Sequence, residues 1–369
     1  MPLDLKGWRR NWTLMSFFFK GEEIAIITKK LKDLKIKHVG FCSFENRFAK
    51  SGGLASVITN ILPYMQETND ISSVFLLTPY YPGIINKKKL RPTGISFNVL
   101  YRNRNIQVEL FKYTWKYQTP ATNRLYEYYL KADGFFDSGN RLNDPYVYAG
   151  GNEEKNAAML SENAMFFSKA VPYALKALNI TKDTILHLHE WQTSLVSLTV
   201  KEAMLNKTID SCGTAQTIHN SFDTNISWEN LARIVDRKRK PLLAEFPGDG
   251  LTAYQIGLQL TDAPVTTVST NFAKEATSDA LQTEHFAPHL QNIFRTSGIY
   301  GVNNGMFVEY SDKFPKREDH LLKEIREIKS KNRKSLLQFL SRYKPVERFG
   351  ELTYQGRSIT RLPDNIPIL

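Results

Sequence analysis

The 369 residues are 42% hydrophobic and 12% aromatic, enough to fill a large core and too apolar for wholesale disorder. The formal net charge of +12 suits an anionic ligand without choosing among a nucleotide, a nucleic acid and a membrane surface. No stretch approaches the roughly 18 uninterrupted apolar residues of a spanning helix. The apolar patch at residues 14–19 is too short for a secretory leader and lacks a small-residue cleavage site, so a cytoplasmic protein is expected.

Residues 1–36 read as a basic N-terminal extension, and Ile24, Ile27 and Leu31 predict a helix over residues 22–34. Residues 38–44 predict a buried strand, after which Leu54, Val57, Ile58, Ile61, Leu62 and Met65 fall on one helical face. Pro63 is expected to kink that helix or loosen its last turn. Residues 73–78 predict a second strand, and residues 97–100 and 108–111 a small antiparallel excursion. Residues 153–178 are strongly helical, and residues 185–188, 212–218 and 265–269 predict further strands, the last preceded by an amphipathic stretch at 251–260. Strands alternating with helices imply a mainly parallel sheet covered on both faces, a Rossmann-like doubly wound α/β fold. Residues 319–343 predict a basic amphipathic helix. Cys42 and Cys212 sit in apolar strand-like runs without metal-ligand spacing, which reads them as reduced core thiols.

Four segments carry chemistry. Phe48-Ala49-Lys50-Ser51-Gly52-Gly53-Leu54-Ala55 lies between a strand and a helix. Its glycines let a ligand approach the backbone, amides at the helix start favour anions and Lys50 adds a charge, although a Gly-Gly pair before a helix is more often an ordinary tight turn. His187-Leu188-His189-Glu190-Trp191-Gln192 ends a strand at the side where open α/β sheets bind ligands. His187 and His189 share a strand face, so a metal site completed by His219 stands beside the commoner packed histidine. Thr217-Ile218-His219-Asn220 and Gly301-Val302-Asn303-Asn304-Gly305 place further polar groups after strands, or are turn chemistry.

Together these segments resemble, in order and spacing, the bacterial glycogen synthases and plastid starch synthases that use ADP-glucose. The resemblance runs from about His38 to about Gln338. It is carried by Lys50-Ser51-Gly52-Gly53-Leu54 with Asn60-Ile61-Leu62-Pro63, by His187 to Trp191, by Thr217 to Asn220, by Thr267-Val268-Ser269 with Ala273-Lys274-Glu275, by Asn304-Gly305, and by Asn332 to Gln338. It implies the first domain of a GT-B-type glycosyltransferase over residues 37–310, and over residues 311–369 a linker helix and a tail that stops before the second domain. The reaction it implies moves glucose from ADP-glucose to the non-reducing end of an α-1,4-glucan. No metal or other cofactor is implied. The partners are the glucan, the nucleotide sugar and a second GT-B domain in trans, with neither nucleic acid nor membrane.

By the same likeness, Lys50 and the amides of Gly52 and Gly53 approach the donor diphosphate, His219 sits near the transferred glucose, and Glu190, Trp191 and Asn304 shape the sugar pocket. Trp191 would stack on a pyranose ring. Ser56 and Asn220 join the substrate-binding set. Three departures stand out: Glu190 replaces the family's aspartate, Ser56 replaces another, and Phe307 a third. They favour an alternative, a non-catalytic glucan-binding or regulatory remnant. A metal-dependent hydrolase using His187, His189 and His219, and nucleic-acid binding through residues 233–240 and 329–334, rank below both.

Overall fold

The computed structural model describes residues 12–50, 52–66, 71–82, 89–113, 125–136, 153–235, 250–278, 287–304, 322–342, 353–354 and 357–358. Gly305, Phe307, the run 236–240 and most of residues 343–369 lie outside them. The chain divides into two compact units, Met1–Gly305 and Met306–Leu369.

Two helices, α1 (Trp12–Phe18) and α2 (Gly21–Lys32), open the first unit. The second of them turns Ile24, Ile27 and Leu31 into the core, as their spacing dictates. Strand β1 (His38–Cys42) then leads through a loop into α3 (Leu54–Gln66), which runs through Pro63 to its end three residues later. Next come β2 (Ser73–Pro79), the hairpin β3 (Leu90–Tyr101) and β4 (Arg104–Tyr113), and β5 (Leu125–Ala132). The long α4 (Glu153–Ala177) precedes β6 (Thr184–His189), a short α5 (Trp191–Ser194), α6 (Val196–Leu205) and β7 (Cys212–Ile218). A small antiparallel ribbon of β8 (Asn225–Ser227) and β9 (Gly250–Thr252) flanks α7 (Trp228–Leu231) and leads into α8 (Ala253–Leu260). The unit closes with β10 (Thr266–Thr267), α9 (Thr270–Ser278), α10 (Pro288–Ser297) and β11 (Tyr300–Gly301).

Nine strands form one sheet in the order β11-β10-β7-β6-β1-β2-β5-β4-β3. The strands from β11 to β5 are parallel to their neighbours, and β4 and β3 extend the edge antiparallel. Every residue of β2 is buried, the mark of a parallel strand covered on both faces. Alternation divides the side chains: Val39, Phe41, Val74 and Leu76 join Leu54, Ile58 and Leu62 of α3 in one cluster, while Cys42, Phe75, Leu77, Leu186 and Leu188 join the larger one. Burying each such side chain contributes about 1.5–3 kcal/mol. At Gly40 in β1 a Cβ would lie 2.4 Å from the Phe75 ring and 2.5 Å from Leu186, so close packing against this central strand requires glycine. Both cysteines are buried free thiols, and burial raises the pKa of each.

Strand order reverses beside β1. From it the chain steps to β2 on one side and, after α4, to β6 on the other, so the carboxyl ends of β1 and β6 border the crevice in which sheets of this kind bind ligands. The second unit holds α11 (Leu322–Arg342) and a two-stranded antiparallel pair of β12 (Thr353–Tyr354) and β13 (Arg357–Ser358). Among the described residues no helix is long and apolar enough to cross a membrane.

Candidate active site

The loop from β1 to α3 is pinned by its own side chains. Asn46 donates through Nδ2 to Thr78 Oγ1 at 3.0 Å, and its Oδ1 accepts the amides of Phe48 and Ala49. Arg47 grips the buried carboxylate of Glu127 on β5 with two parallel hydrogen bonds, and Tyr129 donates to the same group. Buried Glu45 turns back over the glycines. Its Oε2 accepts the amides of Gly52 at 3.0 Å and Ala55 at 3.2 Å, placing a carboxylate at the positive end of α3. Gly52 and Gly53 themselves are exposed, and a Cβ added at Gly53 would meet no atom within 4 Å.

Glu190, just beyond β6, is the most constrained residue of the site. Its backbone sits at φ 65° and ψ 168°, a region that is nearly glycine-only and costs roughly 1–3 kcal/mol. The surroundings hold it there. Its N–H donates to Thr217 O, and its carbonyl accepts from Thr193 and from Gln216 Nε2. Oε1 accepts the His219 amide at 2.7 Å, and Oε2 accepts the hydroxyl of Tyr254 on α8 at 3.2 Å. Helix α8 is placed by a capping box between Thr252 and Gln255. Burial pushes the Glu190 carboxyl up to about 8 and the nearby charge of Glu45 adds to this, while the His219, Tyr254 and Asn220 donors pull it back.

Three histidines line up beside it. His187 and His189 share one face of β6, where both pack on Phe41 at ring distances of 5.3 and 5.9 Å. His187 Nε2 lies 2.6 Å from Thr217 Oγ1, and His189 Nδ1 lies 3.0 Å from His219 Nε2. Burial lowers His187 and His219 to about 4, and His189 well below its ordinary value, so all three imidazoles are neutral at pH 7. His187 Nε2 faces Thr217 and His189 Nδ1 faces His219, while His189 Nε2 is buried with no hydrogen-bond partner among the described residues. Among the described residues no three metal-ligating side chains converge.

Glu45, Glu190 and His219 border a cleft of about 690 Å³, with His187 and His189 behind it. Of the residues expected from sequence, Gly52, Gly53, Glu190, His219, Asn220 and Asn304 line it. Asn304 is held by its amide on Val268 O, and Asn220 Oδ1 accepts the Phe222 amide. Trp191 also borders the cleft but is only 7% exposed, its indole belonging to the core, so it offers little face to a sugar. Lys50 is exposed and Ser56 half-buried, and neither lines the cleft. Glu45, Gln192, Phe222 and Tyr254 are additions. A lone glutamate after a strand or a tyrosine 64 residues downstream carries no local signal, but Gln192 follows the His-x-His-Glu-Trp run directly and was legible as part of it.

Comparison with known proteins places the chain in a family. Residues 38–296 match the family of the starch synthase catalytic domain. A glycogen synthase of Pseudothermotoga lettingae is 31% identical over 285 residues, 73% of this chain and 51% of that protein. A glycogen synthase of Thermosipho africanus is 29% identical over 308 residues, 78% of this chain and 56% of that protein. The chain therefore spans about half the length of the curated relatives it matches. In structure it is similar to the catalytic domain of starch synthase IV from Arabidopsis thaliana, solved bound to ADP and acarbose, with a TM-score of 0.63 at 18% identity, covering 85% of this chain and 61% of that one. The mainly parallel nine-stranded sheet is that of a GT-B glycosyltransferase domain, and the chain belongs to the starch synthase catalytic domain family.

Proposed function

We propose that this chain carries the acceptor-side half of a glucosyltransferase that passes glucose from ADP-glucose to the non-reducing end of an α-1,4-glucan. One observation carries the proposal: Glu190, His219 and Asn304, ending three separate strand-to-loop segments, converge with Gly52 and Gly53 on one cleft at the switch point of the sheet. The electrostatics fit a neutral, hydroxyl-rich substrate. His219 is uncharged and Glu190 is mostly protonated at pH 7, so a sugar entering the cleft meets hydrogen-bonding groups beside the Glu45 carboxylate.

In this reading His219, fixed by Glu190 and His189, lies against the transferred glucose and hydrogen-bonds a hydroxyl near the reacting carbon. Asn220 and Asn304 hold further hydroxyls. Exposed Lys50 reaches toward the donor diphosphate and stabilises the charge that builds on departing ADP, the electrostatic part of the catalysis. The donor itself sits on a nucleotide-sugar half opposite. A second reading, glucan binding without transfer, is favoured by Glu45: the Gly52 amide is already taken by its carboxylate, so a phosphate would have to displace it.

Incorporation of labelled glucose from ADP-glucose into glycogen tests the proposal, run with the chain alone and with a separately supplied nucleotide-sugar-binding half of a relative. Incorporation that falls at least tenfold in Lys50→Ala and His219→Ala supports transfer. Glycogen binding with no incorporation in either setting supports the second reading.

A further inference from the structure

Trp191 is buried and presents little aromatic face to the cleft. Phe222 is the exposed alternative: it lines the same cleft and the residue is 76% exposed. The backbone beneath it is held firmly. The Phe222 amide donates to Asn220 Oδ1 at 2.9 Å. The next residue, Asp223, accepts the Thr224 and Tyr254 amides through Oδ1 and meets His289 Nε2 at 3.0 Å through Oδ2. A ring presented to water on so fixed a loop can meet the apolar face of a sugar with little reordering of the chain.

A second, independent observation lies deeper in the cleft. Gln192, 2% exposed, also lines it, and its Oε1 has no hydrogen-bond partner among the described residues. A buried carbonyl oxygen left without a donor is unfavourable and is satisfied by a ligand O–H.

We propose that Phe222 and Gln192 form one glucosyl subsite of the acceptor, Phe222 stacking on the C–H face of the ring and Gln192 Oε1 accepting one of its hydroxyls. The subsite rests on the acceptor-side reading above and adds to it the residues that grip the glucan.

The test is calorimetric titration of the full chain with maltoheptaose and, separately, with ADP, for wild type, Phe222→Ala, Phe222→Tyr and Gln192→Met, with circular dichroism as the check on folding. The expected result is a maltoheptaose affinity about five- to tenfold weaker in Phe222→Ala and in Gln192→Met, restored to within about twofold in Phe222→Tyr, with no more than weak ADP binding by any of the four proteins, the same in each. Because Phe222 is exposed, its variants keep the fold even where Gln192→Met does not. Wild-type affinity in Phe222→Ala overturns the subsite while leaving the acceptor-side reading in place. Tight ADP binding by wild type that is lost in Phe222→Ala with glucan affinity intact assigns Phe222 to the donor and also overturns it. A wild-type chain that binds no glucan overturns the subsite and the reading beneath it together.

Discussion

The backbone N–H of His219 donates to Oε1 of Glu190 at 2.7 Å, so the residue at the end of β6 sets the position of the residue after β7. Tyr254, on a helix from later in the chain, closes on the other oxygen of the same carboxyl. One buried carboxyl thus ties the His219 backbone to α8, and the carbonyl of the same residue accepts from Thr193 at the start of α5. The strained backbone of Glu190 is held by these bonds, which ties the cost of the conformation to the geometry of the cleft.

Titration of this group gives a pH signature. The Glu190 pKa is raised from an ordinary carboxylate value to about 8, so the folded state holds a proton that the unfolded state has lost. The resulting stability is fully present below the unfolded pKa and is lost as pH rises through about 8. His187 and His219, lowered to about 4, act on the other limb: the unfolded state takes up protons below about 6.5, so stability falls as pH drops from there toward 4. Thermal unfolding from pH 4 to 9 should show both limbs in wild type. Glu190→Gln should flatten the limb above about pH 6.5 and steepen the acid one, because the Glu190 contribution opposes the histidines there; an unchanged alkaline limb contradicts the assignment.

Removal of the Arg47 side chain would strand the carboxylate of Glu127, whose side chain is 1% exposed. Breaking such a pair from one side costs about 3–5 kcal/mol, and the smaller end applies here because Arg47 is partly accessible and Tyr129 still donates to Glu127. Arg47→Ala should therefore unfold about 3 kcal/mol more easily in urea. A loss below about 0.5 kcal/mol, the range of ordinary surface changes, would show that the loop does not depend on this anchor.

Helix α8 touches α5 at a glycine. A Cβ on Gly257 would lie 2.4 Å from Ser194 Cβ and 2.8 Å from Ser194 O, with backbone on the receiving side. Gly257→Ala should destabilise by about 1–3 kcal/mol, the usual range for overpacking. It should also carry Tyr254 away from Glu190, so that the alkaline limb of the stability profile shifts as well. Stability equal to wild type would mean that the two helices separate without penalty.

Gly53 is the opposite case. Its missing Cβ faces open space, so Gly53→Ala should leave stability within about 0.5 kcal/mol of wild type. Where a ligand approaches the backbone of this loop, the added methyl should weaken its binding about tenfold in a titration with ADP-glucose or maltoheptaose. Unchanged affinity for both would remove the glycine loop from the site.

Much of the frame was legible because parallel strands buried on both faces announce themselves as short apolar runs. Residues 212–218 were predicted as the strand that β7 forms, and the helix at 153–178 ends one residue from its predicted limit. The run at 265–269 shrinks to the two residues of β10, because Ser269 instead caps α9 by accepting the Phe272 amide. The sequence was silent on β5, whose alternating tyrosines pair across space with β2 and β4 rather than with a chain neighbour.

Within the site, the segments holding Glu190, His219 and Asn304 are legible by their position at strand ends, while the roles of these residues come from the family resemblance. Glu45 and Tyr254 could not be, since each acts by reaching a distant partner. Trp191 was legible as part of a motif, but nothing in its neighbours foretold that its ring turns into the core while Phe222 faces the cleft.

The convergence on His219 is tested most directly by labelled glucose transfer from ADP-glucose to glycogen in the complemented assay, comparing wild type with His219→Ala. Incorporation by wild type with a loss of at least tenfold in the variant, its fold intact, is the expected result. Equal incorporation by the two proteins would contradict the placement of His219 at the transferred sugar.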